Sequence, residues 1–208
     1  QPVRAELLVR HMRIAVGHGN GHQQPGCLPC VNVVLAVTDH DGGGRLAADS
    51  RHRIEHIEMI NPADIPRLKE LGVIASLQPV AGVGVPWNPH EPIVSRIGEA
   101  KLPYAYAWQT LREAGAAIAF SSDWPVAPLS PFLGMQAAMT VEPLKPGWPP
   151  QAQSLMDTLH AFTAAGAYME FREDSKGMLK EGYLADVVVL DADLENTPGD
   201  QIAAVRPQ

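Results

Sequence analysis

Two short segments carry residue types that can hold a metal ion and move a proton. In Arg51-His-Arg-Ile-Glu-His-Ile-Glu-Met-Ile-Asn61 a short apolar-rich run leads to His56. In Ser121-Ser-Asp-Trp-Pro-Val126, Asp123 follows the apolar run 116–120. A hydrolytic metal centre needs neutral imidazoles and carboxylates, with room left for a water. Taken singly, each residue has a plainer explanation. A histidine at a strand end is more often a hydrogen-bonding group than a ligand, and Asp123 could simply cap the turn that follows it. Their joint placement favours the metal reading, because the intervening chain reads as helix, strand, helix.

The elements that must position them are legible from apolar periodicity and punctuation. Strands are expected near 12–16, 52–56, 73–77 and 117–121, and helices over about 62–71, 104–114 and 154–168, with a short one near 132–139. Asn61 and Pro62 make a helix start, Gly72 a stop, and Ser154 a further N-cap. Strand ends that carry polar groups and alternate with helices describe the C-terminal rim of a parallel α/β sheet. Residues 79–92 form a proline-rich loop on that rim. From Lys176 the pattern changes to glycine-punctuated, β-branched segments, with β structure expected near 184–190.

Composition sets the limits. The chain has 208 residues, 46% of them hydrophobic, which indicates a globular core rather than disorder. Sixteen basic and 23 acidic side chains give a net charge of −7, without the basic stripe that nucleic acid requires. No apolar run is long enough for a membrane helix. The first residues do not read as a signal peptide and there is no initiator Met, so a piece of a longer, cytoplasmic protein is expected. Cys27 and Cys30 are spaced as a redox dithiol or half a zinc knuckle. Crowding by Pro25, Gly26 and Pro29, and the lack of a second pair, favour incidental loop cysteines. His11, His40 and His52 read as solvated, and His160 as packing within a helix.

Taken in order, Arg53-Ile-Glu-His56, Val73-Ile-Ala-Ser-Leu-Gln-Pro79, Ala105-Tyr-Ala-Trp108, Ser122-Asp-Trp-Pro-Val126, Ala161-Phe-Thr163 and the stretch Gly177 to Asp191 form a specific combination. Across residues 52–195 the chain resembles the amidohydrolase superfamily, in its branch of YtcJ-like metal-dependent amidohydrolases. The resemblance implies an α/β fold: the C-terminal half of a TIM-type (β/α)8 barrel over residues 1–175, about strands five to eight, and a partial β-sandwich over 176–208. It places His56 as the metal ligand after strand six, Val73 to Gln78 on strand seven, and Asp123 after strand eight. There Asp123 would touch the metal and act as general base toward the attacking water. The cofactor implied is a divalent metal, zinc, as one or two ions in the complete enzyme. The substrate implied is a small molecule with an amide or other non-peptide C–N bond.

The chain departs from that pattern near strand five, where Ile14-Ala-Val-Gly-His18-Gly-Asn-Gly-His22 offers His18, or alternatively His22, as a displaced ligand; a histidine-containing loop without that role is the plainer reading. Trp124 and His90 are candidates to face substrate. A whole barrel needs about 250 residues, and the family's remaining ligands would precede this chain. The fragment alone is therefore expected to be inactive without the missing N-terminal half of the barrel. A truncated or degenerate, non-catalytic piece is the alternative. Ser121 and Ser122 allow a serine hydrolase on residue types alone, but no Gly-x-Ser-x-Gly elbow accompanies them.

Overall fold

The computed structural model describes residues 51–81 and 98–208. The expected strand at 12–16, most of the proline-rich loop, and His11, His18, His22, Cys27, Cys30, His40 and His90 lie outside the described residues. Within them, β1 (Arg53–Glu55), β2 (Ile74–Leu77) and β3 (Ile118–Phe120) form one parallel sheet in chain order. The register pairs Ile54 with Ala75 and Ser76 with Ala119. Parallel pairing was the expectation, and each connection passes through a helix as parallel strands require.

Between β1 and β2 the chain enters a 3-10 turn at Pro62–Asp64 and continues into α1 (Ile65–Glu70). The Asn61 side chain caps the turn by accepting from the Ala63 amide at 3.0 Å. The helix ends where Gly72 takes φ +63°, a conformation that costs glycine little. Between β2 and β3 lies α2 (Trp108–Glu113). It starts four residues later than the sequence implies. Ala105 makes an antiparallel bridge to Met59, and Tyr106 takes φ +48°, so neither can join the helix. After β3 come α3 (Pro131–Thr140), α4 (Leu155–Phe162) and α5 (Ala164–Met169). The single helix expected over 154–168 is broken at Thr163, whose ψ of −81° departs from helical geometry and whose hydroxyl bonds the Leu159 carbonyl at 2.7 Å. His160 proves exposed, in the last turn of α4, where a polar side chain suits the helix end.

The sheet has two unlike faces. Val73, Ala75, Leu77, Ile118 and Phe120 pack with Leu68 of α1 and Trp108 and Leu111 of α2 in the main core. Ring contacts run through it from Tyr106 to Trp108, Phe120 and Phe162. The opposite face is apolar only at its N-terminal end, where Ile74 and Ala119 meet Ala165 of α5. Toward the C-terminal end it turns polar.

Two distant contacts fix this layer. The Arg51 guanidinium sits between the rings of Tyr168 and Phe171, at 3.9 and 4.2 Å, and pairs with Glu173 at 2.5 Å. This ties the approach to β1 to the end of α5. The α2 N-terminus has no local side-chain cap. The buried Gln151 amide oxygen serves instead, accepting from the Gln109 and Thr110 amides at 2.9 and 3.1 Å. From Lys176 onward no strand forms; residues 184–190 show one antiparallel bridge, Leu190 to Pro207, where β structure was expected. Ile202 and Val205 pack on Phe132 and Met135 of α3. Among the described residues no helix is long and apolar enough to cross a membrane.

Two substitutions test this account. Gln151→Ala strips the α2 amides of their buried acceptor and is expected to cost about 1–3 kcal/mol, read in urea denaturation. Gly177→Ala is expected to destabilise as well, because Gly177 has φ +92° and an added Cβ would lie 2.7 Å from the Cβ of Ala167. An unchanged thermal midpoint for either variant contradicts the packing described.

Candidate metal-binding rim

The parallel ladder continues one step past the strands. The His56 amide donates to the Ser76 carbonyl at 2.8 Å, and the Ser121 amide to the Leu77 carbonyl at 3.0 Å. The residues that follow β1, β2 and β3 therefore share one rim. His56 and Asp123 both belong to it, on the two outer strands. At the usual strand spacing, two steps correspond to roughly 10 Å between their backbones.

The chain leaves the outer strands by left-handed turns. His56 takes φ +71°, Ile57 φ +45° and Asp123 φ +58°. Aspartate tolerates this region, but a β-branched residue there is a genuine outlier. Such a residue costs on the order of 1–3 kcal/mol and persists only when its surroundings impose it. Ile57 is held by burial in the main core. Alongside, Tyr106 donates its amide to Glu58 at 2.9 Å and Ile60 donates to Tyr104 at 3.1 Å, which braces the segment after His56. Burial, and secondarily the Glu58 charge, push the Tyr106 phenol far above its ordinary range, so it stays neutral.

His56 is exposed and Asp123 partly buried. The turn after Asp123 is closed by backbone, its carbonyl accepting from the Val126 amide at 2.8 Å. The side-chain cap there comes from Ser122, whose hydroxyl accepts from the Trp124 amide at 3.3 Å. Among the described residues neither the Asp123 carboxylate nor the His56 ring has a hydrogen-bond partner, so both are free for other chemistry. Beside Asp123, Trp124, Val126 and Leu129 stand exposed on a proline-rich turn and give the rim an apolar lip. No cluster of three or more potential ligands occurs among the described residues.

Sequence reading missed the polar face below this rim. Gln78, just past β2, is buried, and its Nε2 donates to Ser121 Oγ at 3.0 Å and to Glu55 Oε2 at 3.3 Å. Its Oε1 is buried with no partner, a state that costs about 1–3 kcal/mol when uncompensated. Glu55 bonds Arg53 at 2.6 Å and also Ser76. Burial pushes the Glu55 carboxyl up, but hydrogen bonds from Ser76 and Arg53, the Arg53 charge and the Gln78 amide outweigh it and hold the group below its usual range. The signal was present in the alternation of Ile74, Ser76 and Gln78 against Val73, Ala75 and Leu77.

The chain is similar to known proteins. A family model described as the amidohydrolase family matches residues 31–208. The chain belongs to that family. It is 32% identical to Protein LONG AFTER FAR-RED 3 of Arabidopsis thaliana over 68% of its own length and 24% of that protein's. It is 29% identical to the putative amidohydrolase YtcJ of Bacillus subtilis, covering 70% of this chain and 28% of the relative. The crystal structure of an uncharacterized metal-dependent hydrolase from Pyrococcus furiosus superposes with a TM-score of 0.57 at 32% identity, over 69% of this chain and 28% of that one. The chain thus spans about a quarter of the length of these curated relatives.

The Glu55 network gives a pH prediction. A carboxyl whose native value is depressed stabilises the fold above its unfolded value and loses that contribution as pH falls through the native one. Ser76→Ala should therefore move the Glu55 titration up toward the usual carboxylate range, read from its carboxyl carbon by NMR. The associated loss of stability should be greatest at neutral pH and vanish in acid. A Glu55 titration identical in the two proteins would remove Ser76 from the network.

Proposed function

We propose that this chain supplies the C-terminal half of a TIM-type barrel hydrolase that cleaves an amide or related non-peptide C–N bond in a small molecule. The observation that carries the reading is the pair of unpartnered groups, the His56 imidazole and the Asp123 carboxylate, on one rim of a parallel sheet. The metal-dependent hydrolase neighbour supports a divalent ion, and imidazole plus carboxylate is a donor set that suits zinc. His56 and Asp123 would hold that ion. When bound, the metal supplies a Lewis acid and lowers the pKa of a water. Asp123 takes the proton of the attacking water and passes it to the leaving nitrogen. Trp124 offers an apolar surface beside that carboxylate, and His90 is the second candidate to face substrate. The tail from 176 is read as the start of a small β domain. In support, Val187, Val188 and Val189 are β-branched yet exposed, as strand residues without their neighbours would be.

A non-catalytic fragment remains the second reading, favoured by the absence of a three-ligand cluster among the described residues. A catalytic zinc usually needs three protein ligands and a water. Residues 1–208 alone are therefore expected to bind zinc poorly and to show little or no amidase activity. In the full-length protein, chelator should abolish amide hydrolysis and Asp123→Asn should lower kcat by about 10²–10⁴-fold. Full activity in the presence of chelator would defeat the metal reading. Full activity in Asp123→Asn would defeat the assignment of the base.

A further inference from the structure

Among the described residues, Gln78 is tied to both outer strands through its side chain. It follows the central strand, and its amide nitrogen bonds Glu55, which directly precedes His56, and Ser121, two residues before Asp123. Glu55, when ionised, only accepts hydrogen bonds. Turning the amide over would set an oxygen against that carboxylate. The charge thus dictates the orientation, and Oε1 is left buried without a partner. An apolar residue would fill this place without an orphaned acceptor, so packing alone does not account for glutamine here.

We propose that Gln78 is a positioning residue for the rim: it clamps the ends of β1 and β3 through Glu55 and Ser121 and so sets the separation of His56 and Asp123. The inference rests on the metal reading above and adds a residue that touches neither ion nor water. Groups hydrogen-bonded directly to metal ligands commonly matter 10–100-fold for metal affinity; Gln78 acts through Glu55 and Ser121, so the lower end of that range is expected. Replacing the amide by an apolar side chain of similar length should be tolerated by the fold. Both freed partners are at least partly exposed and can turn to water.

The test uses the full-length protein with Co²⁺ as the probe, read by its visible ligand-field spectrum. Gln78→Met should keep the thermal midpoint of the metal-free protein within a few degrees while weakening Co²⁺ about 10-fold or more and changing the spectrum. His56→Ala and Asp123→Asn should each weaken Co²⁺ more severely. A Gln78→Met protein with normal Co²⁺ affinity and spectrum overturns the positioning role, whatever its stability, provided the two ligand variants still lose the metal. If His56→Ala and Asp123→Asn bind Co²⁺ as the unmodified protein does, or that protein binds none, the metal site fails first and the role of Gln78 falls with it.

Discussion

The parallel backbone ladder across β1, β2 and β3 is the constraint on which everything else depends. It brings three segments separated by about 20 and 40 residues into register and ends them together. Because the strands run the same way, whatever follows each of them is delivered to one edge. His56, Gln78 and Asp123 reach the same edge for that reason. The helices matter to the site indirectly: α1 and α2 cover one face of the sheet, and in that setting the ladder's hydrogen bonds hold their geometry.

The other face follows a different rule. Parallel sheets are ordinarily buried on both sides and read as continuous apolar runs. Here Ser76 and Gln78 are buried polar residues, and Arg53 and Glu55 on β1 stay about half exposed. Such a face is costly unless each polar group finds a partner. Most do: Arg53, Glu55, Ser76, Gln78 and Ser121 form a connected set.

Much of this was legible in the sequence. Asn61, Gly72 and Ser154 act locally through caps and turns, and local signals survive into the structure. The three strands were legible because apolar runs bounded by turn residues have few alternatives. The misses came from interactions that sequence spacing does not display. The start of α2 is set by a bridge from Ala105 to Met59 and by Gln151, about 40 residues away. Val187 to Val189 have strand propensity but no strand beside them among the described residues, and β propensity is realised only against neighbours. His56 and Asp123 were found as types at strand ends. The Gln78 network was overlooked because its partners, Glu55 and Ser121, lie 23 and 43 residues away in the chain.

The left-handed exits at His56 and Asp123 connect the scaffold to the proposed chemistry. An extended exit would continue the side-chain alternation of the strand, and on β1 that alternation assigns Glu55 to the polar face and its successor to the helical one. Two consecutive residues with positive φ break the alternation at His56 and Ile57. The break frees the imidazole from the face that strand geometry would dictate, while burial of Ile57 offsets the backbone cost. Asp123 reaches the same freedom with less strain, since its short polar side chain is at ease in that region. The turn leaves the His56 ring exposed at the rim.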